Sequence, residues 1–257
     1  MYMSAVATKI EDKVKEAPLT VPLKIDKSES WKLFDTIAER YDLLNYICSA
    51  GILSLWRQKL VDYFPKGSDL KVLDCATGTG EVMFSIMDDH HFDIQEIHGL
   101  DLSKNMMKKG LEASEDKSYA KKVCFHHASA TQIPFNDNHF DCVSMAFGIR
   151  NVDDYQNCLK ELYRVVKPQG RVLIMEFSLP KNNVIKSIYL FYFRHILPFI
   201  AGVLSKNKSA YRYLNKTVEA FPYGDAFVNH MKDAGFSTVW KSLTFGIASL
   251  YIGTKNE

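Results

Sequence analysis

Short apolar segments alternate with longer amphipathic segments from residue 70 onward, and this alternation constrains the fold more than any other feature of the chain. The amphipathic segments are helix candidates at 81–88, 103–113 and 154–166, and KPQG after the last of them is a helix stop signal. Strands separated by helices of this length predict a parallel sheet with right-handed crossovers. The strand candidates are LKVLDCA (70–76), IHGLDLS (97–103), VCFHHASA (123–130), DCVSMAFG (141–148) and RVLIMEFS (171–178).

The C-terminal segment FSTVWKSLTFGIASLYIGTK breaks this alternation. It contains two strand-like runs joined through Gly246, with no helix between them. Such a pair predicts a hairpin, so one strand at this edge of the sheet runs antiparallel to the others. We therefore predict an α/β fold with a mostly parallel sheet and helices on both faces.

Composition and charge narrow the class of protein. The net charge is only +2 and the pI is about 8.1, which argues against a nucleic-acid partner because nothing resembles a concentrated basic field. The five cysteines are scattered and form no C-x-x-C pair, so we expect reduced thiols in a cytoplasmic protein. The N-terminal residues resemble neither a signal peptide nor a mitochondrial presequence, and no apolar run is long enough to span a bilayer.

The loop DCATGTGE follows the first predicted strand. Gly78 and Gly80 allow a tight turn and a close approach to a ligand, and a helix starting near Glu81 directs free N–H groups at an anion. The dinucleotide fingerprint requires a third glycine where this chain has Met83, and no Gly-Lys-Ser/Thr follows to make a phosphate loop. The loop therefore predicts a nucleotide-like ligand other than NAD, FAD or ATP.

Asp101 ends the second predicted strand, about 20 residues beyond the glycine loop, at the distance where a carboxylate accepts the hydroxyls of a ribose. This position fits any adenosine-type ligand. The alternative is that DLS only caps the following helix, for which Ser103 is a good N-cap.

The motif D-x-A-T-G-T-G with the later GLDLS resembles the class I S-adenosylmethionine-dependent methyltransferases. Five further segments, in order, resemble the ubiquinone/menaquinone biosynthesis C-methyltransferases over residues 30–256. This resemblance implies a Rossmann-like class I methyltransferase fold, a seven-stranded mostly parallel sheet with an antiparallel edge strand. The segments are FDTIAERYDLLNYICSAGILSLWR (34–57), IPFNDNHFDCVSMAFGIRNV (133–152), RVVKPQGRVLIMEFSLP (164–180), YRYLNKTVEAFP (211–222) and LTFGIASLYIGTK (243–255).

The resemblance further implies that S-adenosylmethionine donates a methyl group to a ring carbon of a prenylated quinol, either demethylmenaquinol or a ubiquinol precursor. It places Thr79 in the glycine loop, Asp101 on the ribose, and Ser129 with Ala130 near the adenine. This chain has Ala146 where the family often has serine, so only the backbone there is expected to touch the cofactor. The full predicted cofactor site is Asp74, Gly78, Thr79, Gly80, Asp101, Leu102, Ser129, Ala130 and Ala146.

The acceptor carbon becomes nucleophilic when the adjacent ring hydroxyl loses its proton, and phenols titrate near about 10. Arg150 in FGIRNV is the predicted group that stabilises the oxyanion or polarises a water, and Asn151 would orient that water. The alternative is a structural pair between Arg150 and Asp153 or Asp154. Tyr41 is predicted to close over both substrates on a helical lid, or else to pack as an ordinary apolar residue.

None of the eight histidines has a partner at metal-ligand spacing, so we predict a metal-free protein. His126 and His127 lie in the third predicted strand, where one would approach the adenine side.

The segment VIKSIYLFYFRHILPFIAGVLS (184–205) is rich in aromatic residues. It predicts either a core helix broken by Pro198 or a surface that shelters a prenyl tail and rests on the inner face of the membrane. The predicted organisation is a flexible tail at 1–29 and a methyltransferase domain at 30–257, with a lid at 30–66 and an acceptor-binding insertion at 180–222.

Two other functions stay open. One is a class I methyltransferase for another hydrophobic small molecule, and the other is a non-catalytic S-adenosylmethionine-binding scaffold. We also expect a homodimer or a quinone-biosynthesis assembly.

Overall fold

The computed structural model describes residues 27, 30–38, 46, 49, 51–199 and 208–256. Strands and helices alternate along most of this length, as the apolar segments predict. The helices are α1 Ser30–Ile37, α2 Ile52–Val61, α3 Glu81–Met87, α4 Lys104–Ser114, α5 Tyr155–Val165, α6 Asn183–Phe191, α7 Lys208–Ala220 and α8 Asp225–Asp233. The strands are β1 Leu70–Cys75, β2 Ile94–Asp101, β3 Val123–His127, β4 Phe140–Ala146, β5 Val166–Phe177, β6 Phe236–Leu243 and β7 Ala248–Lys255.

One seven-stranded sheet has the order β3-β2-β1-β4-β5-β7-β6. The first five strands in this order are parallel, and β7 is antiparallel to both β5 and β6. The predicted hairpin is therefore confirmed. The antiparallel strand lies second from the edge, because β6 forms the edge and β7 folds back between it and β5.

The segment KPQG ends α5 as predicted, but it also opens the next strand. Helix α5 stops at Val165 and β5 begins at Val166, with an irregular register against β4 between Phe140 and Cys142. Gln169 has a left-handed φ of 64°, which marks this irregular start.

Neighbouring residues on the central strands contribute to different cores because side chains alternate across a sheet. Leu73 of β1 packs with α5 and α8 on one face, and Val72 packs with α2 and α3 on the other. Helices thus cover both faces. A third cluster joins α1, α6 and α7 through Leu33, Tyr189 and Val218.

The aromatic segment is helical throughout its described part. Helix α6 continues into a π-helical turn at Tyr192–Ile196, and residues 197–199 are helical again. Pro198 therefore does not break the helix within the described residues, and the alternative of a core helix broken at Pro198 is wrong. The wider π turn directly before it relieves the clash that a proline ring makes with the preceding turn. None of the described helices has the length and apolar character that crossing a bilayer requires.

Candidate active site

The strand order reverses between β1 and β4, and ligands of open α/β sheets bind beyond the carboxyl ends of such strands. The loop after β1 contains the two glycines. Gly78 has a φ of 57°, and a Cβ built on it would meet no described atom within 4 Å. Gly78 therefore leaves room for a ligand to approach the backbone.

Gly80 has a different function in the loop. Its φ is 84°, and an added Cβ would lie 3.0 Å from Phe84 and 3.2 Å from Phe125. Met83, at the position of the missing third glycine, is fully buried. A Cβ on Gly99 of β2 would lie 2.6 Å from the Met83 sulfur, so Gly99 supplies the close helix–strand approach.

Asp101 links the ends of β2 and β1. One of its carboxylate oxygens accepts a hydrogen bond from the backbone N–H of Gly78 and the other from that of Ser103, each at 2.8 Å. Burial raises the pKa of Asp101, against the lowering effect of these bonds. Each carboxylate oxygen keeps a further lone pair, so the side chain can still accept two hydroxyls.

Ser103 is the N-cap of α4 and accepts a hydrogen bond from the Met106 N–H at 3.2 Å, so the predicted cap is confirmed. Its hydroxyl also donates to Asp35 of α1 at 2.7 Å. Asn105 donates to the same carboxylate from its backbone at 3.0 Å and from its side chain at 2.8 Å. These three bonds, which the sequence patterns did not reveal, fix α1 against α4.

Two adjoining cavities surround the glycine loop, with volumes of about 500 and 460 Å³. They share Ala76, Gly78, Ala146 and Phe147 as lining residues. Trp31 and Phe34 of α1 cover part of the larger one. Volumes in this range are typical of cofactor sites.

Most of the sequence-predicted cofactor residues line these cavities. The exception is Gly80, which packs against Phe84 behind the loop. The larger cavity is lined by Gly78, Asp101, Leu102, Ser129, Ala130 and Ala146, and the smaller one by Asp74, Gly78, Thr79 and Ala146.

Asp74 at the end of β1 holds the loop to β4. Its two oxygens accept hydrogen bonds from Ser144 and Thr77, both at 2.7 Å. Burial raises the pKa of Asp74 to about 7, with a smaller contribution from Asp101, although both hydroxyls act in the opposite direction.

Arg150 lies in a short 3₁₀ turn, Ile149–Asn151, directly after β4. It pairs with Glu176 of β5, and neither Asp153 nor Asp154 is its partner. The Arg150 Nη1 donates to Glu176 Oε1 at 2.7 Å, and the backbone N–H donates to Oε2 at 3.3 Å. Both side chains are buried, with 5% and 1% exposed. Burial raises the pKa of Glu176, while Arg150 lowers it.

The remaining contacts of Arg150 restrict its orientation. Nη1 also donates to the carbonyl oxygen of Phe147, and the guanidinium lies 5.3 Å from the centre of the Phe177 ring. Its Nε atom is buried and has no hydrogen-bond partner among the residues the structure describes.

Asn151 lines the larger cavity, and its side-chain amide donates weakly to Phe147 at 3.4 Å. Tyr41, the third predicted catalytic residue, lies outside the described residues.

The histidines of β3 form local contacts. His126 shares a hydrogen bond of 2.9 Å with His98 of β2, and His127 contacts the carbonyl oxygen of Leu102 at 3.1 Å. Of these two histidines, His127 is therefore the one that contacts a residue lining the larger cavity, Leu102. Within the described ranges, no three His, Cys, Asp or Glu side chains are placed to hold a metal ion.

The ubiE/COQ5 methyltransferase family profile matches residues 23–255. The demethylmenaquinone methyltransferase of Bacteroides fragilis is 38% identical over 225 residues, which is 87% of this chain and 91% of the relative. The ubiquinone/menaquinone biosynthesis C-methyltransferase UbiE of Geotalea daltonii is 44% identical over 228 residues, covering 87% and 95% of the two chains.

Solved structures of other methyltransferases share the fold. A possible histamine N-methyltransferase of Thermotoga maritima superimposes with a TM-score of 0.63 at 18% identity, over 88% of this chain and all of that one. Phosphoethanolamine N-methyltransferase 2 of Haemonchus contortus, in complex with S-adenosyl-L-methionine, has a TM-score of 0.59 at 17% identity, over 79% and 52% of the two chains. This chain therefore belongs to the ubiE/COQ5 methyltransferase family, and it is a methyltransferase that uses S-adenosylmethionine.

Proposed function

We propose that this protein transfers the methyl group of S-adenosylmethionine to a ring carbon of a prenylated quinol in menaquinone or ubiquinone biosynthesis. The observation that carries the proposal is the buried Arg150–Glu176 pair, which places a fixed guanidinium at the carboxyl ends of β4 and β5, beside the cofactor crevice. The two relatives described above are named as methyltransferases of these quinones.

The residues of the crevice fit the methyl donor. Asp101 has the lone pairs to accept both ribose hydroxyls, and Gly78 opens the space in which the backbone approaches the ligand. Ser129 and Ala130 line the adenine end, and Thr79 and Asp74 line the smaller cavity at the methionine end. When bound, S-adenosylmethionine supplies an electrophilic methyl group on its sulfonium.

The protein contributes orientation and charge. Holding the acceptor carbon in line with the methyl group lowers the barrier by up to about 7 to 11 kcal/mol. Arg150 stabilises the phenolate that forms on the neighbouring ring oxygen, and its Nε, which has no hydrogen-bond partner among the described residues, is the donor for that purpose. Glu176 holds the guanidinium in place. Asn151 orients the water that carries the hydroxyl proton to solvent, and the proton on the methylated ring carbon leaves the same way once the methyl group has moved from sulfur to carbon.

The N-terminal helices act as a lid. Helix α1 supplies Trp31 and Phe34 to the wall of the larger cavity, and Asp35 fastens it to α4. We assign Tyr41 to the same lid on the basis of its position in the chain.

The insertion at 180–222 holds the prenyl tail. A largely apolar cavity of about 590 Å³ begins at Ser178, directly after β5, and is lined by Ile185, Trp240 and Phe245. A row of apolar side chains on α6 and on the helical residues 197–199 after the π turn continues outward from this region. Val184, Ile188, Phe191 and Phe199 lie at helical spacing and are 59–71% exposed.

This exposed face is suited to the surface of a membrane. An amphipathic helix with apolar residues on one side and basic residues at its margin lies in the headgroup region. Lys181, an exposed residue just before α6, supplies a positive charge at the start of this face. We therefore propose peripheral contact with the inner face of the membrane. The homodimer and the quinone-biosynthesis assembly stay predictions that sedimentation measurements test.

The deciding experiment incubates the purified protein with labelled S-adenosylmethionine and, in turn, demethylmenaquinol and the benzoquinol precursor. We expect label in the ring of at least one quinol. Arg150→Ala should lower turnover by about 10²-fold or more while the affinity for S-adenosylmethionine stays the same. Methylation of sterol or amine acceptors in preference to either quinol would contradict the proposal, and cofactor binding without any turnover would favour a scaffold.

A further inference from the structure

Three polar side chains of the helical insertion lie in the apolar cluster that faces Arg150. Tyr189 is on α6, and Tyr213 and Asn215 are on α7; each is less than 10% exposed. The Tyr189 ring packs on Phe193 at 4.4 Å, and Phe193 contacts Phe177, over which the guanidinium lies. The cluster is therefore continuous with the proposed catalytic group.

Three atoms of this cluster are polar, buried and unpaired within the part of the chain that the structure describes. They are the hydroxyl oxygens of Tyr189 and Tyr213 and the carbonyl oxygen Oδ1 of Asn215. Asn215 is oriented by its own amide nitrogen, which donates to the carbonyl oxygen of Phe193 at 2.5 Å. Burial raises the pKa of Tyr213, and the nearby hydroxyl of Ser30 acts in the opposite direction, so Tyr213 has a polar neighbour on α1.

A buried hydroxyl without a partner destabilises a fold, and buried polar groups are nearly always hydrogen-bonded. A phenylalanine at 189 would keep the ring contact with Phe193 and avoid this cost. The hydroxyl therefore indicates a ligand. Burial raises the pKa of Tyr189, with Arg150 and Glu176 acting in opposite directions, so the side chain is a neutral phenol that both donates and accepts.

We propose that Tyr189 binds the second ring hydroxyl of the quinol, the one opposite the oxygen that Arg150 stabilises, and that Asn215 Oδ1 accepts from the same group. This inference rests on the proposed function and deepens it. A quinol carries two oxygens on opposite sides of its ring. Contacts at both oxygens fix the rotation of the ring in its plane, so one carbon faces the methyl group. Tyr189 thereby selects hydroquinones over monophenols.

The test compares Tyr189→Phe with wild type on two acceptors, the quinol and an analogue that lacks the second hydroxyl. With the quinol, we expect Tyr189→Phe to raise KM about 10-fold, the effect of one lost hydrogen bond to a ligand. The dissociation constant for S-adenosylmethionine should not change. With the monophenol, wild type and variant should have equal kcat/KM, since neither makes the contact.

Tyr155→Phe is the matched control. It removes a tyrosine hydroxyl that bonds to His230 at 3.2 Å, beside the core cluster that contains α5 and α8 rather than the one that contains Tyr189, and should leave both acceptors unaffected. Thermal melting identifies a misfolded variant. If Tyr189→Phe is misfolded, the wild-type protein alone provides the test. We then expect its kcat/KM to be higher for the quinol than for the monophenol by about 10-fold or more.

Three results would overturn the inference. Tyr189→Phe with wild-type KM and wild-type preference would show that the hydroxyl is not a substrate contact. Equal use of both acceptors by wild type would do the same, while leaving quinol methylation intact. Failure of the wild-type protein to methylate any quinol would instead refute the proposed function, and this inference with it.

Discussion

Arg150 places a positive charge where little water reaches, and Glu176 is the group that makes this arrangement stable. Removing one member of a buried ion pair leaves the other charge uncompensated and costs about 3–5 kcal/mol. Replacing both members with apolar residues of similar volume is often neutral. Single and double substitutions therefore separate the contribution of this pair to stability from its contribution to catalysis.

We expect Arg150→Met to lower the free energy of unfolding by about 3–5 kcal/mol, because Glu176 remains buried and unpaired. The double variant Arg150→Met/Glu176→Leu should recover most of this loss in urea titrations, yet remain inactive. A double variant that regained methyl transfer would show that the guanidinium is only structural.

Asp74 predicts a pH dependence of stability. Its pKa rises from an ordinary value near 3.8 to about 7 in the folded chain, chiefly through burial, so the folded state binds the proton more tightly. The stability that this proton provides is lost as the pH rises from about 4 through 7. Asp74→Asn cannot ionise and should gain stability relative to wild type between pH 5 and pH 8. Urea unfolding of both proteins at the two pH values, without cofactor, measures this gain. A stability difference between variant and wild type that is the same at both pH values would refute the raised pKa of Asp74.

At the scale of elements, α1 is held over the cofactor crevice by one carboxylate. Asp35 accepts three hydrogen bonds from Ser103 and Asn105, and three residues of the same helix line the larger cavity. The position of α1 and the affinity for the cofactor should therefore be coupled.

Asp35→Ala should weaken binding of S-adenosylmethionine by about 10-fold, which corresponds to about 1.4 kcal/mol. Calorimetric titration gives the dissociation constant. Asp62→Ala is the control, because Asp62 is the exposed C-cap residue of α2, and its side chain pairs locally with Lys59 at 2.9 Å. Equal effects of the two substitutions would mean that α1 does not act as a lid.

The elements that the sequence predicted correctly have local causes. Strands buried on both faces are continuous apolar runs, and the glycine loop with Asp101 is a motif of fixed spacing. Other features depend on which elements become neighbours. Glu176 contacts Arg150 because β4 and β5 are adjacent, and Tyr189 and Asn215 reach the same region only after α6 and α7 fold over it. No periodicity in one segment reveals such contacts.

The sequence did contain a signal for Glu176 that pattern reading passed over. An acidic residue inside the apolar run RVLIMEFS requires a partner when the strand is buried. The alternative of a helix broken at Pro198 fails for a related reason. The rule that proline ends a helix assumes regular α-geometry, and the π turn at Tyr192–Ile196 changes that geometry.

At the scale of the whole molecule, the exposed side chains of α6 form the surface by which we expect the protein to meet a lipid bilayer. Ile188→Ser/Phe191→Ser should reduce cosedimentation with vesicles containing anionic lipid, while methylation of a short-chain, water-soluble quinol stays unchanged. Val239→Ser, at a site on β6 that is 61% exposed, should leave vesicle binding unchanged. Equal vesicle binding by all three proteins would remove α6 as the membrane contact.

The position of β7 between β5 and β6 affects how the protein is made. Glu176 pairs in register with Ser249, so the strand that carries the carboxylate partner of Arg150 acquires its second neighbour only when residues 248–255 have been synthesised. Until then β5 presents an open backbone edge on the nascent chain, and such edges recruit other polypeptides. A translation product that stops before residue 248 should therefore aggregate rather than persist as a weak enzyme.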